Sequence, residues 1–165
     1  MLQLVLTCPL LTLLAFGCGG GPSATEQREV AEWVIAEGGT VVTNKVLEVK
    51  AVDRLPKGPF RIERIDLKNA DIRDDDLQRI SGLTGIEALS LYGTMITDDG
   101  LAHLTRLQSL AELELSYTQV TDAGLIPLKT LSSLQKLYLT GTPVTDEGVE
   151  DFKNSRPHCE VYRLQ

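Results

Sequence analysis

The chain has 165 residues, 42% of them hydrophobic and only 5% aromatic, which suits one domain packed with leucine and valine. Its 16 Lys and Arg against 23 Asp and Glu leave a formal charge of −7. An acidic surface repels phosphates, which excludes nucleic acid as a partner.

Residues 2–16, "LQLVLTCPLLTLLAF", carry no charge. The run is shorter than the roughly 20 residues a membrane-spanning helix needs. Its length fits the apolar core of a secretory signal, without the usual preceding Lys or Arg. "AFGCGGGPS" follows. A small residue and then Cys18 after an apolar run resembles the bacterial lipoprotein signal, in which the cysteine is diacylated and becomes the first residue. Ala15 and Phe16 depart from that pattern, which favours leucine and a small residue there. The resemblance implies a signal peptide over 1–17, lipid on Cys18, and export to the cell envelope, or secretion if the lipid is not added. Residues 18–24 then form a flexible glycine- and serine-rich tether. The membrane is reached only through the lipid.

Cys8 falls inside the signal and Cys18 carries the lipid, which leaves Cys159 without an internal disulfide partner. The pair His158–Cys159 is no thiol-protease site, because neighbours in an extended segment point to opposite faces and no orienting group accompanies them.

"SATEQREVAEWVIAEGG" predicts a capping helix. Ser23 and Glu26 form a capping box, Val30, Trp33 and Val34 a stripe, and Gly38–Gly39 the end. "TVVTNKVLEVKAV" reads as one or two irregular strands, completing an amino-terminal cap over 25–61.

Three near-copies follow: "TMITDDGLAHL" from Thr94, "TQVTDAGLIPL" from Thr118 and "TPVTDEGVEDF" from Thr142. Thr94, Thr118 and Thr142 recur at 24 residues, as do Asp98, Asp122 and Asp146, and Gly100, Gly124 and Gly148. The same step relates "LSL" at Leu89, "LEL" at Leu113 and "LYL" at Leu137, reaching back to "IDL" at Ile65 and forward to "VYR" at Val161. Strands are expected near 65–67, 89–91, 113–115, 137–139 and 161–163. In each, alternate leucines share one face.

The threonines can hydrogen-bond turn backbone and repeat as a ladder. "TDDG", "TDAG" and "TDEG" open helices, with Thr97, Thr121, Thr145 or the aspartates as caps. Leu101, Leu104 and Leu107 then follow at helical spacing, as do Leu125, Leu128 and Leu131. The recurring glycine marks a close approach between neighbouring units. "DIRDDDL" from Asp71 to Leu77 groups four carboxylates, but Asp74 stands in register with Asp98, which points to a helix start. It also lacks the alternating ligands and central Gly of a calcium loop. No metal site and no cofactor is expected.

The period, with "LAELELSYT" and "LQKLYLTGT", resembles the leucine-rich-repeat family over about 62–165. That resemblance implies an α/β fold: a right-handed solenoid with a short parallel sheet on its concave face and helices on its convex face. Four repeats and a terminal strand fill residues 62–165. Ala70, in place of a threonine, marks an atypical first unit; His158 and Arg163, in place of leucines, mark the last coil. The repeat wording is similar to exported bacterial proteins and to F-box ligase receptors. Residues 1–40 are taken up by signal, tether and cap, so the ligase role does not carry over.

Leucine-rich repeats bind proteins on the concave sheet, so a non-enzymatic interaction module tethered at the envelope is expected. Its outward columns read Arg64, Ala88, Glu112, Lys136, Glu160; Asp66, Ser90, Glu114, Tyr138, Tyr162; and Lys68, Tyr92, Ser116, Thr140, Leu164. The expected contact residues are Tyr92, Glu112, Glu114, Lys136, Tyr138 and Tyr162, since exposed tyrosines favour interfaces. Five short strands offer only about 300 Å² of face, against about 800 Å² per partner in a standard interface. A weak partner, use of the flanks or several copies follows, with the chain a monomer or weakly self-associating. The alternative is a structural or self-assembling envelope spacer, whose association would survive charge reversal at Glu112 and Glu114. No catalytic residue stands out: His103 sits in a convex segment in register with Pro127, and there is no phosphate-binding loop or metal-spaced His/Cys set.

Overall fold

The structure is a computed structural model that describes residues 21–44 and 48–164. The expected signal segment, Cys18 and the start of the tether lie outside the described residues. No helix among the described residues is long and apolar enough to cross a membrane.

Ser23 begins helix α1 (Ala24–Ala36) with the expected capping box: its hydroxyl accepts from the Glu26 amide at 3.2 Å, and its own amide donates to the Glu26 carboxylate at 2.6 Å. Gly38, at φ 79°, releases the chain into β1 (Thr40–Thr43). There follow β2 (Ile62–Asp66), β3 (Ala88–Ser90), α2 (Asp98–Leu101), β4 (Glu112–Glu114), α3 (Leu125–Leu128), β5 (Lys136–Tyr138), α4 (Asp146–Ser155) and β6 (Glu160–Tyr162). The strands form one sheet in chain order. β1 runs antiparallel to β2, and every later pair is parallel. Register advances by the expected step of 24, from Ile65 to Leu89, Leu113, Leu137 and Val161. The strands begin slightly earlier than expected. Each ladder closes on the residue between the two L-x-L leucines, as at Ser90, so the second leucine falls just past the strand.

One leucine of each pair lies inside the strand and the other just beyond it. Leu89, Leu91, Leu113, Leu115, Leu137 and Leu139 are all buried. On the return path Leu101, Leu104, Leu107, Leu125, Leu128 and Leu131 meet them in one continuous core. The return segments are not the regular helices expected. The first is a 3-10 helix (Asp74–Ile80), and α2 and α3 are four-residue turns with 3-10 segments beside them (Ala102–Leu104, Asp122–Gly124). Only α4, in the last coil, runs for 10 residues.

At the amino-terminal end, α1 packs Val30, Ala31 and Val34 onto the core. Its buried Gln27 side-chain oxygen accepts from the Ile62 amide at 2.9 Å, tying the helix to β2. The cap is thus joined to the sheet by packing and by a hydrogen bond.

Candidate functional site

The coils are joined by a contact that the repeat motif encodes. Asp74 accepts from the Thr97 amide at 2.8 Å and its hydroxyl at 2.6 Å. Asp98 does the same for Thr121, and Asp122 for Thr145. The aspartates therefore face forward to the next coil instead of capping their own helices. The threonines act as caps in two coils, Thr121 accepting from Ala123 and Thr145 from Gly148, but not at Thr97. The glycines mark the expected close approach. A Cβ at Gly100, Gly124 or Gly148 would come within 2.1–2.4 Å of the preceding coil's aspartate oxygen. Thr94, Thr118 and Thr142 form no ladder between coils. Each hydroxyl donates 2.7 Å back to a carbonyl three residues earlier in its own coil.

Of the four carboxylates between Asp71 and Asp76, two are engaged in structural hydrogen bonds. Asp74 is held by Thr97, and Asp76 accepts from the Arg73 amide at 3.0 Å. No group of three or more His, Cys, Asp or Glu among the described residues is placed to hold a metal ion. His158 is exposed while Cys159 is buried, as their adjacency dictates; His103 is half-buried. Burial pushes the Cys159 thiol up from its ordinary value, against the opposing pull of Arg156.

With the leucines committed to the core, the alternate residues of each strand face outward. The structure places Glu112, Lys136 and Glu160 in one cross-strand row and Glu114, Tyr138 and Tyr162 in the next. Tyr138 and Tyr162 stack at 4.7 Å between ring centroids, with planes 13° apart. Burial, and after it the Glu112 carboxylate, pushes the Tyr138 hydroxyl up from its usual value. Tyr162 donates to Glu160, which raises it likewise. Arg64 reaches across β3 toward Glu112, at 3.9 Å, over the short Ala88.

Tyr92 lies apart from that pair, with the Lys68 ammonium 4.4 Å from its ring centre. Its aromatic neighbour is Tyr117, at 5.1 Å and tilted 59°. Tyr117 was not among the expected contacts. It is 55% exposed and holds φ 59°, in the row where other coils have Asn69, Gly93 and Gly141, all left-handed. The signal was present in the alignment: a tyrosine among residues chosen for positive φ. Ser116, expected on the open face, is instead buried, with its hydroxyl accepting from the Thr140 amide at 3.1 Å.

The Leucine Rich repeat family model matches residues 102–129 and 130–153, so this part of the chain consists of leucine-rich repeats. No curated protein matches the chain. Among solved structures, a leucine-rich-repeat protein of Leptospira interrogans aligns at 26% identity over 51% of this chain and 21% of its own, with a TM-score of 0.41. An internalin of Listeria monocytogenes aligns at 24% identity over 60% of this chain and 27% of its own, with a TM-score of 0.49. The ectodomain of the receptor kinase SOBIR1 from Arabidopsis thaliana aligns at 13% identity over 85% and 92%, with a TM-score of 0.39. This chain spans less than two thirds of the length of the first two.

Proposed function

Taking the leucine-rich-repeat solenoid as the framework, we propose that this chain is a non-enzymatic interaction module that holds a protein partner against its open sheet face. The observation that carries it is the Tyr138–Tyr162 stack beside Glu112 and Glu114. Large aromatic area with polar tips stands there on a sheet whose other face packs onto the core. Aromatic residues ringed by polar groups are the usual anchors of protein interfaces. Tyr92, Glu112, Glu114, Lys136, Tyr138 and Tyr162 are the proposed contacts, and Tyr117 extends them past the strand ends.

The module is tethered at the cell envelope through lipid on Cys18, with 18–24 as its stalk, 25–61 as its cap and 62–165 as the binding solenoid. Mass spectrometry of the exported protein should find a diacylglyceryl amino terminus on Cys18 and no Met1–Gly17. An intact Met1 on cytosolic protein overturns export, and a free Ser23 terminus overturns the lipid alone.

The binding role is tested on a peptide array with the purified chain. Tyr138→Ala, Tyr162→Ala and charge reversal of Glu112 with Glu114 should each remove most of the bound signal, while Ile126→Ala on the opposite side should not. If all three leave the pattern unchanged, the open face is not the binding surface.

A further inference from the structure

β3 presents Ala88 and Ser90 outward, between Arg64 and Asp66 on β2 and Glu112 and Glu114 on β4. Two short side chains among four long ones leave a hollow of about 430 Å³ in the open face, closed on the β1 side by Thr40 and Val42. Small-ligand sites occupy about 300–1,000 Å³, so the depression is large enough for a side chain to enter. Its charged walls are the carboxylates Glu48, Asp66, Glu112 and Glu114, with Arg64 as the cation lining it; Glu48 also pairs with Lys50 at 2.9 Å, and Asp66 and Glu114 each give one oxygen to a backbone amide and keep the other.

We infer that this hollow receives a cationic side chain, arginine above lysine, from the protein segment laid across the face. The inference rests on the proposed role of that face and names the chemistry of its partner. Four carboxylates on a convex surface would be a solvated acidic patch; here they wall a depression with a floor of alanine and serine. A guanidinium already borders it. Arg64 lies 3.9 Å from Glu112, an exposed pair of the kind that is worth little and exchanges readily. An incoming arginine can take the carboxylates in bidentate fashion, which a lysine cannot.

Glu114 stands directly opposite Tyr138, so a segment anchored in the hollow continues onto the stacked rings. Tyrosine faces attract cations. The molecule uses that contact itself where Lys68 covers Tyr92.

Arg64 makes the test two-sided, because it competes with the incoming cation. Fluorescence anisotropy at 0.15 M salt would use the full chain and a labelled Gly/Ser peptide carrying a central Arg-Gly-Arg. Control peptides carry Gln or Glu in place of both arginines. The arginine peptide should bind, and Glu112→Gln with Glu114→Gln should weaken it at least tenfold. Asp99→Asn with Glu147→Gln, which removes the same charge elsewhere, should change it less than twofold. Ser90→Phe should fill the hollow and abolish binding; where that variant melts early, the isosteric glutamine pair decides.

Arg64→Gln should strengthen binding severalfold, clearly more than Arg106→Gln. Three results overturn the inference: equal binding of the glutamine peptide, equal effects of the two double variants, or equal effects of the two arginine variants. If uncharged array peptides are lost on Tyr138→Ala while the arginine peptide ignores the hollow, the face stands and the cation site falls. If no peptide of any charge senses Tyr138→Ala, both fall together.

Discussion

Asp98 holds Thr121 twice, its two carboxylate oxygens accepting from the amide at 2.7 Å and from the hydroxyl at 2.6 Å. The same relation joins Asp122 to Thr145, and there the following glycine makes it testable. Gly148 lies in α4, where alanine would ordinarily add about 1 kcal/mol of helix stability. A Cβ there would stand 2.1 Å from the Asp122 oxygen, which two hydrogen bonds pin in place. Overlap therefore wins, and Gly148→Ala should destabilise by about 1–3 kcal/mol. In an Asp122→Ala background the same change should be close to neutral. Urea melts of the four proteins give the coupling, and additivity within about 0.5 kcal/mol would refute the interlock.

Leu137 and Tyr138 are consecutive and face opposite ways, so they should separate stability from binding. Leu137 is fully buried, and Leu137→Ala should lose about 2–5 kcal/mol. Tyr138→Ala gives up one exposed stack, about 0.5–1.5 kcal/mol, yet should weaken peptide binding at least tenfold. Thermal melting beside anisotropy reads both; a Tyr138→Ala protein as unstable as Leu137→Ala would assign Tyr138 to the core.

Tyr117 is held in a backbone conformation that costs a non-glycine residue roughly 1–2 kcal/mol. Its contact with Tyr92 returns about 0.5–1.5 kcal/mol. Tyr117→Gly, matching Gly93 and Gly141, should therefore leave stability unchanged or raise it by up to about 1 kcal/mol. A loss larger than that would mean the ring is structural. With stability preserved and binding reduced, the strained tyrosine belongs to the contact surface.

Cys159 is 4% exposed, and burial raises its thiol above the ordinary value. The thiolate is the reactive form. In the native protein at pH 8, alkylation at Cys159 should lag far behind a free thiol, then reach its full rate in 6 M urea. Peptide mass spectrometry follows that site alone, and fast native alkylation would show that the last coil opens readily.

The repeating frame was legible because leucines at a fixed period state which face is buried, and the register from Ile65 to Val161 follows from counting. The direction of the aspartates was not. Asp98 as a cap and Asp98 as a donor's partner in the next coil look identical in sequence, since both need a carboxylate at a helix start. The stack of Tyr138 on Tyr162 could be read from the pleat, whereas the hollow over Ala88 and Ser90 depends on how long the surrounding side chains are and where they lie. Tyr117 escaped because it stands past the strand, in register with Asn69, Gly93 and Gly141, where the backbone turns left-handed and strand alternation no longer tells which way a side chain faces. The short return turns escaped because hydrophobic spacing alone does not tell one turn from three.

The forward-reaching aspartates carry one more consequence. Each ties only its own coil to the next, at a spacing of 23 residues in every case. Excising residues 95–118 would bring Asp74 opposite Thr121 with the same geometry, and Ser90 opposite Tyr138 where Glu114 had been. The scaffold is thus indifferent to how many coils it contains, while the order of outward residues changes with every excision or duplication. Such a chain can gain a new surface by recombination in whole periods, without first finding a new core.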